Sequence, residues 1–194
     1  GNGGTVGPLS AANSLVGATA NDRVGLNSAT ALTNGHYVVS SQNWNNGPAT
    51  GAGAATWGNG NGGTVGPVSA ANSLVGSTAN DAIGSGDVVA LVNGHYVVCS
   101  TSWDNGLVSN AGAVTWGNGN GGTIGPVSTA NSLHGTSPND GVGSISIPLT
   151  TGHFVVRSDQ WNNGAANVAG AVTWCNGNGG TVGPVSSTNS LVGS

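Results

Sequence analysis

Residues 87–117, DVVALVNGHYVVCSTSWDNGLVSNAGAVTWG, decide the fold class of this chain. The segment opens with an apolar run, turns at Asn93-Gly94 and continues as the aromatic and β-branched run HYVVCS. An Asn-Gly pair between two apolar runs is the strongest short-range signal for a β-hairpin. After the SWDNG loop, GAVTW alternates small and large residues and predicts a third strand. The run NSLVG at 72–76 predicts a fourth, which leaves no window long enough for a helix.

The same pattern recurs along the chain, which is the signature of a repeat architecture. The motif Thr-Val/Ile-Gly-Pro begins at residues 5, 64, 123 and 181, so the period is 59 residues and the last step is 58. We expect one repeat domain with units at about 1–59, 60–118 and 119–176, and residues 177–194 repeat the opening segment.

The composition excludes several classes of protein. Only 4% of the 194 residues are charged, and the chain has two Arg, six Asp, no Lys and no Glu. A net charge of -4 without clustered cations excludes a nucleic-acid interface. No apolar run approaches the ~18 residues of a membrane span, so we expect no membrane insertion. The low charge, with many Gly, Asn, Ser and Thr, favours a secreted or cell-surface location.

The order NGHYVVCS, WDNG and AGAVTWGNG resembles the FG-GAP blade of integrin-type β-propellers, and it is similar to repeats of large secreted bacterial adhesin-like surface proteins. The resemblance covers all three units and implies an all-β, β-propeller-like fold with three four-stranded blades per chain. Propellers have ~4–8 blades, so we expect a homo-oligomer, with a dimer favoured, in which a second chain completes the ring. There are two alternatives to a ring completed by a second chain. One is a three-fold β-prism, and the other is that this chain is a piece of a longer repeat protein.

The FG-GAP resemblance does not extend to a calcium-binding site. Blades of that family often bind the ion in an Asp-rich loop, whereas the corresponding turns at 33–35, 92–94 and 150–152 contain no carboxylate. Neither cysteine has a second Cys or a His at ligand spacing. We therefore expect no metal and no cofactor. Cys99 and Cys175 occupy non-equivalent places in their units, which favours free thiols over a disulfide.

The six tryptophans form two sets. One set ends the GAVTW-type strand and is predicted to pack in the core or between blades: Trp57, Trp116 and Trp174. The other set lies in the polar loops QNWNNG, TSWDNG and DQWNNG, where an aromatic face beside amides suits a sugar ring. The candidate ligand-binding residues are therefore Trp44, Asn45, Asn46, Trp103, Asp104, Asn105, Trp161, Asn162 and Asn163. The alternative is that these rings only cover the blade edge while Asn-Gly makes the turn.

No arrangement of residues predicts catalysis. The histidines at 36, 95 and 153 share one strand position, with no Ser or Asp at a constant offset to form a triad, and we expect them to donate to loop carbonyls. The aspartates at 22, 81 and 140 precede tight turns and are predicted to accept backbone N–H groups there. We expect a non-enzymatic, lectin-like or adhesion module with one shallow glycan site per repeat. The alternative is a structural repeat of an extracellular surface protein or assembly.

Overall fold

The computed structural model describes residues 7–194, which form short strands joined by turns and bends. Within this range no element is a helix that could cross a membrane. The strands are β1 (Leu15–Val16), β2 (Ser28–Ala31), β3 (Tyr37–Ser41), β4 (Ala54–Gly58), β5 (Gly66–Pro67), β6 (Ser73–Val75), β7 (Val88–Ala90), β8 (Tyr96–Ser100), β9 (Ala113–Gly117), β10 (Gly125–Pro126), β11 (Ser132–His134), β12 (Ile145–Pro148), β13 (Phe154–Ser158), β14 (Ala171–Cys175), β15 (Gly183–Pro184) and β16 (Ser190–Val192). The prediction of an all-β chain is confirmed.

Three of the four strands predicted for each unit pair in one antiparallel sheet, and the fourth pairs with the unit before it, which corrects the prediction. In the second unit β7 pairs with β8 and β8 with β9, and the turn at Asn93-Gly94 joins the first two as the sequence predicts. β9 then pairs with β11 of the third unit, whereas β6 of the second unit pairs with β4 of the first. Between β8 and β9, Val97 lies opposite Trp116, and the small Ala113 lies opposite Ser100. Alternation of large and small side chains therefore matches the pleat of the sheet.

A fifth strand, which the sequence does not predict, comes from a Gly-Pro pair still further along the chain. This pair adds in parallel to the outer strand of the sheet, as β10 does on β6 and β15 on β11. Pro is tolerated there because an edge position does not require its N–H. The amide of the next residue then closes the pairing, and Val127 donates to the carbonyl of Val75 at 3.0 Å.

Residues 7–194 thus form four sheets, and the expected set of three four-stranded blades is corrected accordingly. β1 and β5 form a two-stranded sheet; sheet I is β2, β3, β4, β6 and β10; sheet II is β7, β8, β9, β11 and β15; sheet III is β12, β13, β14 and β16. The physical reason is that two strands of each unit, the NSLV-type strand and the Gly-Pro pair, hydrogen-bond to strands of the unit before it. A three-bladed propeller is not confirmed by this arrangement.

The full sheets stack face to face. β2, β7 and β12, the first strand of each sheet, contact one another in turn along one edge of the stack. Apolar side chains from sheets I and II form one core cluster, and those from sheets II and III form another. Every residue of β8 is buried, because sheet II is covered on both faces. The hydrophobic core therefore lies between units rather than within them.

The residue that follows each Gly-Pro strand shows what a preceding sheet covers. Val68, Val127 and Val185 are each only 3% exposed because a preceding sheet covers them. Leu9 holds the same place in the first described Gly-Pro segment and is 85% exposed. Burial at this position therefore depends on the preceding sheet.

Candidate functional site

The loop tryptophans, the core of the predicted binding site, are buried. Trp44, Trp103 and Trp161 are 5%, 4% and 5% exposed. Each ring shares a core cluster with the valine that the next unit places after its Gly-Pro strand, as Trp103 does with Val127. A sugar stacks on an exposed aromatic face, and these rings do not present one. The three rings instead belong to the core clusters.

The amides that follow the tryptophans fasten each loop to the end of a neighbouring strand. Asn46 donates through Nδ2 to the carbonyl of Gly76 at 2.8 Å, and Asn105 donates to the carbonyl of Gly135 at 3.2 Å. Asn163 repeats the bond to the carbonyl oxygen of Gly193 at 2.9 Å. These three predicted site residues are therefore engaged within the protein.

The residues directly after the tryptophans shape the loop itself. The side-chain oxygen of Asn45 accepts from the amide of Gly51 at 2.9 Å, and Asp104 accepts from Asn110 at 2.8 Å. In the third unit Asn162 accepts from Val168 at 2.9 Å. The donor residues all have positive φ, including the β-branched Val168 at 52°, a backbone conformation that such residues rarely adopt. The side-chain acceptor therefore holds a strained turn in place.

A buried carboxylate joins two loops in every unit. Asp81 accepts from the amides of Ser77 and Thr78 at 2.9 and 2.8 Å and from the amide of Asp104 at 3.0 Å. Its equivalents, Asp22 and Asp140, accept from the corresponding amides. The predicted turn-capping role is confirmed, and it extends to the tryptophan loop, which is distant in sequence.

The balance between burial and hydrogen bonding differs among these aspartates. Burial raises the pKa of Asp22, but bonds from Thr19, Asn45 and Ala18 outweigh it and leave the pKa below its ordinary value. Asp81 lies deeper, so burial raises its pKa, and the bonds from Thr78, Asp104 and Ser77 only partly offset that effect. The charge of the neighbouring Asp104 adds to the rise at Asp81. All three carboxylates act as fixed acceptors of backbone N–H groups.

The repeated histidines accept hydrogen bonds, which corrects the expectation that they donate to carbonyls. Nδ1 of His95 accepts from the amide of Gly119 at 3.1 Å, and its ring lies 4.7 Å from that of Trp116. His36 and His153 repeat both contacts with Gly60 and Trp57 and with Gly177 and Trp174. Burial lowers the pKa of His95. An accepting Nδ1 requires a neutral imidazole, so the geometry favours a structural role.

The strand tryptophans reach across the boundary between units. Trp57 donates through Nε1 to the carbonyl of Gly119 at 2.9 Å, and Trp116 donates to that of Gly177 at 2.8 Å. The sequence predicted these rings either in the core or between blades, and Trp57 and Trp116 lie between neighbouring sheets. Trp174 has the same place in sheet III but is 55% exposed.

The remaining chemistry-bearing groups do not assemble into a site. Cys99 and Cys175 are buried free thiols, and burial raises their pKa values to about 11 and about 12. Within residues 7–194 no three His, Cys or Asp side chains lie together so as to hold a metal ion. One shallow polar groove of about 300 Å³ runs beside the first tryptophan loop, and its lining includes Asn21, Asn43, Asn45 and Asn80.

Comparison with known proteins identifies a repeat. A family model described as a repeat of unknown function (DUF5650) matches residues 1–26, 31–85, 90–144 and 148–194. The matches cover nearly the whole chain and have the same period as the units defined from the sequence. Their boundaries fall at different residues from those of the units. No curated protein matches the chain.

Proposed function

This chain belongs to the family of DUF5650 repeats, and we propose that it is a structural repeat whose stacked sheets form a rigid scaffold without a catalytic step. One observation carries the proposal. The polar side chains that the sequence singles out bind the protein's own backbone, and the tryptophans beside them are buried. Side chains that are already hydrogen-bonded inside the protein have fewer free donors and acceptors to offer a ligand.

The repeated design supports the same proposal. The Asp81 cluster, the His95–Gly119 bond and the Trp116–Gly177 bond all recur at equivalent positions. In repeat proteins each unit contacts only its neighbours, so stability depends on such interfaces. Identical contacts between each pair of neighbouring units make such a scaffold stiff. We place this scaffold outside the cell, as its scarcity of charged residues suggests.

A finer version of the proposal is a propeller-like arc, as the FG-GAP resemblance implies. Its support is that β2, β7 and β12 contact one another along one edge of the stack, as inner strands of neighbouring blades do. Small-angle scattering distinguishes a curved stack from a straight one through the distance distribution of the particle.

The experiment for the scaffold proposal compares binding with stability. Wild type and Asn105→Ala are screened on a glycan array and unfolded by urea. We expect no glycan bound by either protein, and a loss of about 1 kcal/mol in the variant because the bond to Gly135 is removed. A glycan that binds wild type and is lost in the variant, with stability unchanged, contradicts the scaffold proposal.

Carbohydrate binding is a second candidate, which the groove beside the first tryptophan loop supports. Its amides at Asn21, Asn43 and Asn80 resemble the fixed donors and acceptors that satisfy sugar hydroxyls. In this version the amides bind the glycan and the buried Trp44 only supports the loop. Asn43→Ala tests it, because this half-buried side chain lines the groove. Loss of a glycan signal in Asn43→Ala with an unchanged melting temperature supports this candidate.

A further inference from the structure

Each repeated histidine accepts its hydrogen bond from a backbone amide that directly follows an asparagine. Nδ1 of His95 accepts from the amide of Gly119 at 3.1 Å, and the residue before that glycine is Asn118. The arrangement occurs twice more, in His36 with Asn59-Gly60 at 3.1 Å and in His153 with Asn176-Gly177 at 3.2 Å. An imidazole nitrogen that accepts a hydrogen bond carries no proton. Each set therefore places a base against the backbone nitrogen beside an asparagine side chain.

The side-chain amide of Asn118 is polarised at its oxygen and unengaged at its nitrogen. Oδ1 accepts from the amide of Asn120 at 3.0 Å. A donor at this oxygen stabilises the negative charge that develops there when a nucleophile attacks Cγ. Nδ2 donates to no acceptor within residues 7–194, and the half-buried side chain is open to water. The equivalent oxygens of Asn59 and Asn176 accept at 2.9 and 3.0 Å.

The packing of this loop requires glycine after the asparagine. A Cβ on Gly119 would overlap the carbonyl oxygen of Gly94, and one on Gly60 or Gly177 would meet the equivalent carbonyl. A glycine nitrogen is also the least hindered nucleophile in the main chain, because no side chain stands beside it. Bonding of this nitrogen to Cγ of the preceding asparagine closes a five-membered ring. The fold therefore places a reactive Asn-Gly pair where an imidazole accepts from its amide.

We propose that Asn118 and its equivalents, Asn59 and Asn176, are sites of self-modification at which the imidazole promotes closure of a succinimide. The nitrogen of Gly119 bonds to Cγ of Asn118 while its proton passes to Nδ1 of His95. The bond from Cγ to Nδ2 breaks, and Nδ2 takes up that proton and leaves as ammonia. Water then opens the ring at one of its two carbonyls and leaves an aspartate or an isoaspartate. The proposal goes beyond the scaffold and does not depend on it.

The modified residue lies beside a contact between sheets. The carbonyl of Gly119 accepts from Nε1 of Trp57 and from Nδ2 of Asn34, each at 2.9 Å. An isoaspartate at position 118 adds a methylene group to the main chain directly before this glycine and also adds a negative charge. Self-modification therefore changes the loop that joins sheet II to sheet I.

Other Asn-Gly pairs in the chain lack the base. The amide of Gly94 donates to the carbonyl of Leu91 at 3.2 Å, and Nδ2 of Asn93 is bound to the carbonyl of Gly177 at 2.9 Å. Asn46, which also precedes a glycine, is half-buried like Asn118, and its Nδ2 is bound to a backbone carbonyl at 2.8 Å. A carbonyl oxygen is too weak a base to take the amide proton. Asn46 is therefore an internal reference for the rate without an imidazole.

Peptide mapping by mass spectrometry tests the proposal on the whole chain, incubated folded at neutral pH. We expect Asn118 to convert at least about tenfold faster than Asn46. His95→Gln keeps a side-chain acceptor for the amide of Gly119 but removes the base, so it should slow Asn118 by a similar factor and leave Asn176 unchanged. His153→Gln is the matched control and should slow Asn176 alone.

The ratio of the two rates within one sample separates the base from a change in stability. Partial unfolding of a variant exposes both Asn118 and Asn46 and raises both rates, whereas loss of the base slows Asn118 alone. The proposal is overturned if Asn118 converts no faster than Asn46 in wild type, or if His95→Gln leaves their ratio unchanged. Either result leaves the scaffold proposal intact, because that proposal depends on the contacts between sheets.

Discussion

The indole Nε1 of Trp116 in sheet II donates a hydrogen bond of 2.8 Å to the carbonyl oxygen of Gly177, in the loop that follows β14 of sheet III. Gly180, in the same loop, lies so close to this side chain that a Cβ on it would stand 2.8 Å from Cβ of Trp116. The loop after β14 is thus packed and hydrogen-bonded on a strand of the preceding sheet. Stability within the chain therefore depends on contacts between units.

Replacing the donor tests the energetic contribution of this bond. Trp116→Phe removes the N–H and leaves the Gly177 carbonyl without it, so we expect a loss of about 1 kcal/mol in the free energy of unfolding. Trp174→Phe is the matched control, because Trp174 is half-exposed and has no such acceptor within the described residues, and its stability should stay within about 0.5 kcal/mol of wild type. Equal losses in the two variants, measured by urea unfolding, would contradict an inter-unit bond.

The close approach of the loop to the strand can be tested at two glycines. Gly122 and Gly63 have φ of 84° and 77°, so alanine is strained at both. Of the two, only Gly122 also lies against a side chain, since a Cβ there would stand 2.9 Å from Cβ of Trp57. We expect Gly122→Ala to lose about 1–3 kcal/mol more than Gly63→Ala, the range for overpacking. Thermal unfolding of both variants provides the comparison, and similar melting temperatures would show that the loop does not pack on Trp57.

The buried carboxylate of Asp81 is expected to be more important for stability than any exposed acid. Asp81→Asn replaces one accepting oxygen with an NH₂ group that faces backbone donors, and we expect a loss of about 2–3 kcal/mol. Asp87→Asn makes the same chemical change at an exposed residue and should be nearly neutral. A cost for Asp81→Asn as small as that for Asp87→Asn would argue against the three amide bonds seen at this side chain.

Acidification should destabilise the protein through His95. Burial lowers the pKa of this imidazole, so the unfolded chain binds a proton more readily than the folded one. Stability from this group is complete above the unfolded pKa of about 6.5 and is lost as the pH falls through the lower folded value. His95→Asn keeps a side-chain acceptor but does not titrate. We expect the unfolding free energy to fall less in the variant than in wild type between pH 7 and pH 5.

NMR titration of the imidazole gives an independent check of the same prediction. The resonance of His95 should titrate below the ordinary value of about 6.5. A midpoint above that value would mean that the folded state stabilises the imidazolium, which is incompatible with Nδ1 accepting from the amide of Gly119.

The sequence predicts the strands that carry local signals and misses the one that does not. β8 and β9 have β-branched runs, alternation and an Asn-Gly turn, and each appears where the pattern places it. β10 consists of Gly125–Pro126 and pairs with a strand of the preceding unit. Two residues carry no periodicity, and parallel pairing between units leaves no hairpin turn to detect. The pairing of strands from different units could therefore be seen only in the structure.

The candidate site shows the same division between local and distant effects. The turn-capping role of Asp81 follows from its neighbours in the chain, and the structure confirms it. Trp103 stands among polar residues, which suggested an exposed ring, but Val127 of the next unit packs in the same cluster and the ring is buried. Burial produced by a distant segment cannot be predicted from the residues on either side of a tryptophan.

Amide hydrogen exchange followed by NMR tests most directly whether each unit extends the sheet before it. The amides of Val127 and Val185 donate to the carbonyls of Val75 and His134 at 3.0 Å, whereas Leu9 holds the same motif position and is 85% exposed. We predict slow exchange at Val127 and Val185 and fast exchange at Leu9. Exchange at Val127 and Val185 as fast as that at Leu9 would contradict the stacked architecture on which the proposed scaffold depends.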